Sequence, residues 1–397
     1  MGANVAILAG EASGDAYGAL LALELQRRVP GLCIWGIGGA RMRAAGVELL
    51  ESAEGWAAIG VVESLRIVPR LRFRVLPKLQ RSVLNRRPSL VIPIDFGAFN
   101  VPVCRWCKRR GRRVLYYLPP GSWRRDGRLP YALAQATDLI ATQFAWSVER
   151  LRSVGAHAEF VGHPLLDLIS SEPAHPGFHA ELGFPEGCEL IALLPGSRVG
   201  ELVHNSPAMS DAALIARERR PQLRYVVALA AGAPRRVVDR AMRGLLSQRD
   251  TDGRAVACVV EGRTRDALKH AAAGLVCSGT ATLEAAILGM PMVIVYRGSR
   301  LMYLEYALRR LSRIEHIGLP NIIAGRRIVP EFVAREATPQ ALSGALCGLL
   351  EDPATVQATQ EALAEVCATL GEPGATARVA ELAMAMMGDR GRSDGEA

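Results

Sequence analysis

A chain of 397 residues, half of them hydrophobic, has room for two or three domains with large cores. It holds no run near the roughly 18 to 20 apolar residues that span a bilayer, and its N-terminus lacks a cationic stretch and enters what reads as a core strand, which argues against a signal peptide. The net charge of +9 lies entirely in the first part: residues 1–170 carry 23 Lys/Arg against 13 Asp/Glu, and residues 171–397 carry 25 against 26.

In chain order, Val5 to Ala9 predicts a first strand, Gly10-Glu11-Ala12-Ser13-Gly14-Asp15 its turn, and Ala16 to Arg28 a helix. Leu32 to Gly36 predicts a second strand, and the glycine turn after it, Gly36-Ile37-Gly38-Gly39, has the wrong spacing for a dinucleotide fingerprint. Further buried strands are predicted at Leu90 to Ile94, Val114 to Leu118, Leu139 to Thr142 and Glu159 to Val161. Strands alternating with helices argue for a parallel, doubly wound sheet, whose loops beyond the strand C-termini carry the ligand site. Residues 167–186, rich in Ser, Pro, His and Gly, read as a linker. A second α/β series follows, with strands predicted at Leu190 to Leu194, Arg224 to Leu229, Ala255 to Val260, the segment ending in Cys277, and Met292 to Tyr296. The expected organisation is therefore an N-terminal domain over 1–166, a linker over 167–186 and a C-terminal domain over 187–350. C-terminal helices over 351–387 and a polar tail over 388–397 complete it. Two such sheets joined by a linker predict a cleft where two substrates meet.

Between Ser64 and Ile94 there is no acid at all, and Leu, Ile, Val and Phe alternate with Arg and Lys at roughly helical spacing. Such a surface suits an anionic lipid or a phosphorylated acceptor, or is an ordinary solvated helix packed on its own domain. Nucleic acid is the weaker use, because aromatics make up 5% of the chain and none of the usual binding modules is present. The eight cysteines are scattered, several within apolar runs, like buried thiols in a reducing compartment. Cys104-Arg105-Trp106-Cys107 lacks a second pair or a nearby His, and reads as two cysteines on a helix rather than a metal or redox pair.

Ser278-Gly279-Thr280-Ala281-Thr282 joins a predicted strand to a predicted helix over Leu283 to Leu288. A turn of small residues there exposes backbone N–H groups and a helix N-terminus, and the helix dipole adds about half a positive charge, so the point suits a phosphate. Glu284 is placed to accept hydrogen bonds from a ribose diol. The alternative is a βα turn capped by Ser278 or Thr280, with Glu284 a solvated acid. Pro195-Gly196-Ser197-Arg198 forms another such turn, where Arg198 is either an anion-binding group or a surface charge at a helix start.

GEASGD (10–15), GIGGARM (36–42), FVGHPLLD (160–167), LPGSR (194–198), SGTATLEAA (278–286) and LPNIIAG (319–325) occur in one order over about residues 4–350. In these motifs the chain resembles the lipid-A-disaccharide synthase family, inverting glycosyltransferases of the GT-B class with two Rossmann-like domains facing across a cleft. The resemblance implies transfer of 2,3-diacylglucosamine from its UDP donor to the 6-hydroxyl of 2,3-diacylglucosamine 1-phosphate. The product linkage is β-1,6 and UDP leaves. It further implies UDP on the C-terminal domain, held by Ser197, Ser278, Gly279, Thr280, Ala281, Thr282 and Glu284, with Arg198 meeting the charge on the leaving diphosphate. The acceptor would lie on the N-terminal domain, near Ser13, Gly14, Asn100 and His163. No metal and no cofactor is implied. A peripheral place on the inner face of the cytoplasmic membrane is expected, with an anionic membrane surface as partner and a homodimer left open.

The chain departs from that family's Asp-x-x-Asp-Phe-Asn pattern, reading Asp95-Phe96-Gly97-Ala98-Phe99-Asn100, with alanine in place of the second carboxylate. The next loop, Trp123-Arg124-Arg125-Asp126, also differs from the family's Trp-Ala-Trp-Arg. Three readings follow: a transferase whose general base is Asp95, with Glu11 or Asp15 behind it; a relative with another acceptor; or a silent protein that binds nucleotide sugars.

Overall fold

The computed structural model describes residues 4–56, 67–120, 129–170, 175–185, 187–298 and 315–388. The loop at 123–126 and the tail from 389 lie outside them. The chain divides into two compact units, one of residues 1–171 with 369–397, the other of residues 172–368.

The first unit is built on a seven-stranded parallel sheet of β1 (Asn4–Ala9), β2 (Cys33–Gly38), β3 (Glu48–Ser52), β4 (Leu90–Ile94), β5 (Arg113–Tyr117), β6 (Leu139–Thr142) and β7 (Ala158–Phe160), ordered β3-β2-β1-β4-β5-β6-β7. β1 and β4 are apolar almost throughout and buried, as strands covered on both faces must be. Their pairing runs from Val5 against Leu90 to Ala9 against Ile94, so both strands end at the same level. The order reverses between them, and a crevice opens there because the helices leaving the two strands pass to opposite faces.

The second unit repeats the plan with six parallel strands: β8 (Leu190–Leu194), β9 (Arg224–Leu229), β10 (Ala257–Glu261), β11 (Ala273–Cys277), β12 (Met292–Tyr296) and β13 (Glu331–Val333), ordered β10-β9-β8-β11-β12-β13. Its switch point lies between β8 and β11, which pair from Ile191 against Ala273 to Leu194 against Val276.

Several expectations change. The helix expected from Ala16 starts at Ala12, so Ser13, Gly14 and Asp15 lie in its first turn rather than in a loop. β2 runs on through Gly36 to Gly38, and the short strands β3 and β13 went unpredicted. The supposed linker contains the end of the helix Pro164–Ser170, whose Leu165, Leu168 and Ile169 are buried at helical spacing, and the short helix Phe178–Glu181. The terminal helices divide between the units: Pro353–Ala368 stays with the second, and Ala375–Gly388 packs on the helices Ala12–Arg28 and Pro164–Ser170 of the first.

The motif at 160–167 holds that returning helix. Asp167 accepts hydrogen bonds from the Gly374 and Thr376 amides at 2.5 and 2.7 Å, the His163 amide donates to the Leu370 carbonyl at 2.9 Å, and Arg378 donates to the Val161 carbonyl at 2.8 Å.

Candidate functional site

In each unit, motifs of small and polar residues follow the strands at the switch point, and the two rims carry opposite chemistry. In the second unit, the helix after β11 spans Thr280–Ile287, with Gly279 as its N-cap at φ 154° and no side chain capping it. Neither Ser278 nor Thr280 acts as a cap. The Ser278 hydroxyl donates to the Ile317 carbonyl at 2.8 Å, and the buried Thr282 hydroxyl to the Gly279 carbonyl at 2.7 Å. Thr282 is therefore a structural residue, because its one hydroxyl proton is spent inside the turn. Gly279 is exposed, and a Cβ there would meet nothing within 4 Å, so the approach to the helix N-terminus is open. The Thr282 amide donates to the Gly279 carbonyl at 3.1 Å, which leaves the Thr280 and Ala281 N–H groups, with the positive end of the dipole, to bind an anion. Glu284 lies in the second turn, beside Arg265 at 3.5 Å.

Across the switch point, the turn after β8 leads into the helix Val199–Arg219. The carboxylate of Glu201 accepts the Ser197 and Arg198 amides at 2.9 and 3.2 Å and pairs with the Arg198 guanidinium at 2.9 Å. Arg198 is thereby oriented and only partly buried.

Sequence reasoning missed the residues that hold this rim. Asn205 is wholly buried on the same helix; its amide donates to the Pro195 carbonyl at 2.9 Å and to the Cys277 sulfur at 3.2 Å, and its carbonyl accepts the Arg297 amide at 2.9 Å. One side chain thus ties the ends of β8, β11 and β12. Glu331 of β13 accepts the Ile317 and Gly318 amides at 2.7 and 2.9 Å and bonds to Asn321, which also satisfies Ile328 and Val329. The 319–325 motif therefore fixes the segment against which Ser278 is tied. The available signal was Glu331, a lone acid among apolar neighbours; Asn205, between His204 and Ser206, gives none.

In the first unit, Glu11 is the N-cap residue of the helix after β1, and Asp95 follows β4, so both carboxyl-bearing residues stand at the switch point. Asp95 and Phe96 are consecutive non-glycine residues in the left-handed region, at φ 43° and 48°. Such strain costs about 1–3 kcal/mol per residue and persists where surrounding bonds impose it. Here the Asp95 carbonyl accepts from the Tyr116 hydroxyl at 2.6 Å and from the Asn100 amide at 2.9 Å. The same amide reaches the Leu8 and Ile94 carbonyls, both at 3.3 Å. The Phe96 ring, turned by this bend, lies on Gly10, where an added Cβ would sit 2.3 Å from it; a side chain is excluded there. Phe96, Phe99 and Trp56 form an aromatic cluster with centroids 6.1–6.3 Å apart.

Burial, and then the charge of Glu11, raise the Asp95 carboxyl from its ordinary 3.8 to about 7. Asp15 is different. Its buried carboxylate accepts the Gly39, Arg41 and Met42 amides at 2.6, 3.0 and 3.0 Å, locking the second glycine turn to the first helix. Those bonds take Asp15 out of consideration as a base.

The expected acceptor residues also shift. Gly14 is buried against Ala9 and Ile94, and Asn100 is 1% exposed and consumed by the rim. His163 is buried between Tyr17 and Phe144; its Nδ1 accepts the Leu165 amide at 3.1 Å, and burial lowers its pKa to about 3, so it stays neutral. Ser13 alone of these four is partly exposed. Ala98 is exposed in the first turn of the helix Gly97–Lys108, where Cys104 and Cys107 face the core. Among the described residues, no group of three or more His, Cys, Asp or Glu is placed to hold a metal ion.

The described part of the basic segment is helical over residues 67–86, with one widened turn at Leu71–Val75. Val75, Leu79 and Val83 face the core, while Val68, Phe73 and Leu84 are 54%, 80% and 52% exposed. Part of its charge is neutralised by β3, through Arg70–Glu51 and Arg86–Glu48 ion pairs, each at 2.6 Å. No described helix is long and apolar enough to cross a membrane.

The sequence model of lipid-A-disaccharide synthetase matches residues 5–386. The lipid-A-disaccharide synthase of Geobacter sulfurreducens is 36% identical over 386 residues, covering 97% of this chain and 97% of that protein. The corresponding synthase of Anaeromyxobacter dehalogenans is 38% identical over 387 residues, with the same coverage of 97% on both sides. Among solved structures, UDP-GlcNAc 2-epimerase from Neisseria meningitidis, bound to UDP-GlcNAc, superposes with a TM-score of 0.66 at 12% identity, over 96% of this chain and 99% of that one. At that identity the likeness is one of fold alone.

Proposed function

The chain belongs to the lipid-A-disaccharide synthase family, a glycosyltransferase family of GT-B fold, and from that premise we propose how its two rims perform the transfer. The donor is UDP-2,3-diacylglucosamine and the acceptor 2,3-diacylglucosamine 1-phosphate. The diphosphate lies on the uncapped helix N-terminus at Gly279 to Ala281, with Ser197 and Ser278 around it, and Glu284 holds the ribose. The acceptor lies at the rim of the first unit.

Asp95 is the general base. As the acceptor's 6-hydroxyl oxygen bonds to C1 of the donor sugar, its proton passes to Asp95 and the bond from C1 to the diphosphate oxygen breaks. The electron pair leaves with UDP, and in-line displacement inverts C1 to the β linkage. Charge grows on the departing diphosphate, and Arg198 with the helix N-terminus stabilises it there. A carboxyl raised to about 7 suits the base's task, since half of it is ionised near neutrality and it still holds a proton firmly. Glu11 helps set that value and is the second candidate for the proton.

The observation that supports this reading best is the contrast between the switch points, with proton-accepting carboxyls at one and anion-binding N–H groups with a guanidinium at the other. The basic helix, with exposed apolar side chains among its arginines, supports peripheral docking on an anionic membrane surface, where both substrates carry their acyl chains.

The test is direct. Purified protein mixed with the two substrates should release UDP and yield the disaccharide phosphate by mass. UDP release without that product, or product only with another acceptor, would overturn the assignment.

A further inference from the structure

The basic helix does more than present charge outward. Between it and the helix Gly97–Lys108 runs an open groove of about 300 Å³, lined by Arg72, Leu76, Gln80, Pro102, Arg105, Trp106 and Arg109. Leu76, Pro102 and Trp106 give it apolar surface, its cations are three arginines, and it has no carboxylate in its lining. Among the described residues none of the three forms an ion pair, and the Arg105 Nε is buried without a hydrogen-bond partner. A desolvated guanidinium N–H with nothing to bond costs free energy, and a phosphate oxygen is the acceptor that such a planar fork matches. Apolar Leu76, Pro102 and Trp106 beside those cations match the stem of an amphiphile rather than a free anion. The exposed Phe73, Val68 and Leu84 on the same helix continue that apolar character outside the groove.

We propose that this groove is a seat for a single anionic phospholipid, with the phosphodiester on Arg105, Arg109 and Arg72 and the start of its chains against Leu76, Pro102 and Trp106. At about 300 Å³ the groove stands at the small end of ligand pockets, enough for a headgroup and not for a whole lipid. Neither Asp95 nor Glu11 lines the groove. The inference rests on the membrane-docking reading and adds to it one lipid bound at a defined place.

Calorimetry with a short-chain phosphatidylglycerol, kept below its micelle concentration, tests the seat in the absence of any membrane. One lipid per chain should bind, and the double variant Arg105→Gln with Arg109→Gln should weaken it roughly tenfold or more, at about 1 kcal/mol per arginine. Arg74→Gln with Arg81→Gln, on the outer face, should leave monomeric lipid binding unchanged while weakening attachment to phosphatidylglycerol vesicles. Arg72→Gln provides the same test at an exposed position if the double variant does not fold. Wild-type binding in the groove variants, no binding of monomeric lipid, or inorganic phosphate bound as tightly as the lipid would each overturn the seat. Failure of the wild type to bind anionic vesicles at all would overturn the docking reading instead.

Discussion

The two units solve one structural problem in the same way and then diverge. In each, an asparagine on a helix leaving the switch point is buried and ties together strand ends, Asn100 those of β1 and β4, Asn205 those of β8, β11 and β12. With the rims fixed alike, the difference lies in what they offer. The second unit leaves a helix N-terminus uncapped and steers an arginine beside it, which favours negative charge. The first bends two residues into the left-handed region and raises a carboxyl pKa, which favours uptake of a proton. On the function proposed above, a shared scaffold separates leaving-group stabilisation from base catalysis, and variants on either side should fail in different ways.

The largest effect is expected at Asp95. Asp95→Asn should cut turnover at least about a hundredfold and leave UDP affinity unchanged, measured by steady-state kinetics and calorimetry. It also carries a stability signature. Because the folded protein raises this carboxyl above 3.8, ionising it opposes folding; that cost is absent below about pH 4 and grows until pH passes about 7. Asp95→Asn should therefore melt higher than the wild type above about pH 7 and match it below about pH 4, by calorimetric scans.

On the other side, Arg198→Ala should slow turnover by roughly ten- to a hundredfold, as expected for losing a charge-assisted hydrogen bond to a developing anion. Glu284→Ala should chiefly weaken UDP binding, by about tenfold for one lost hydrogen bond to a ribose diol. Equal UDP affinities and turnover in wild type and both variants would remove the nucleotide from this rim.

The smallest effects distinguish the two ties. Asn100→Ala and Asn205→Ala should each lose about 1–3 kcal/mol of stability in denaturant titrations, the cost of stranding buried backbone groups. Asn205→Ala should also weaken UDP binding, whereas Asn100→Ala should slow turnover and spare UDP. The same defect in both variants would mean that the rims do not have separate tasks.

The alternation of apolar runs with small-residue turns made both sheets legible in the sequence, because parallel strands buried on two faces read as unbroken hydrophobic runs. The strands β3 and β13 were not legible: Glu48, Glu51 and Glu331 within them are polar, and only ion pairs and amide bonds made in the fold explain their place. The return of the helix Ala375–Gly388 to the first unit depends on Asp167, some two hundred positions away in sequence, which no local pattern reveals. At the rims the small-residue turns were visible, but not which polar groups they consume. Asp15, Thr282, Asn100 and His163 carry the residue types of a site, and each instead makes hydrogen bonds to the backbone. Asp95 shows the reverse, since its raised pKa arises from burial and Glu11, neither of which the spacing of its motif encodes.

The pairing of Asp95 with Glu11 is tested most directly by the pH dependence of turnover in the wild type and in Glu11→Gln. The charge of Glu11 raises the Asp95 pKa, so wild-type turnover should fall as pH drops through about 7, and in Glu11→Gln that fall should move to lower pH with the limb still present. Burial is the larger cause, so the limb should stay above the ordinary carboxylate range. A wild-type limb already near 4, or a limb in Glu11→Gln that does not move, would contradict the assignment of Asp95 as the base tuned by its neighbour.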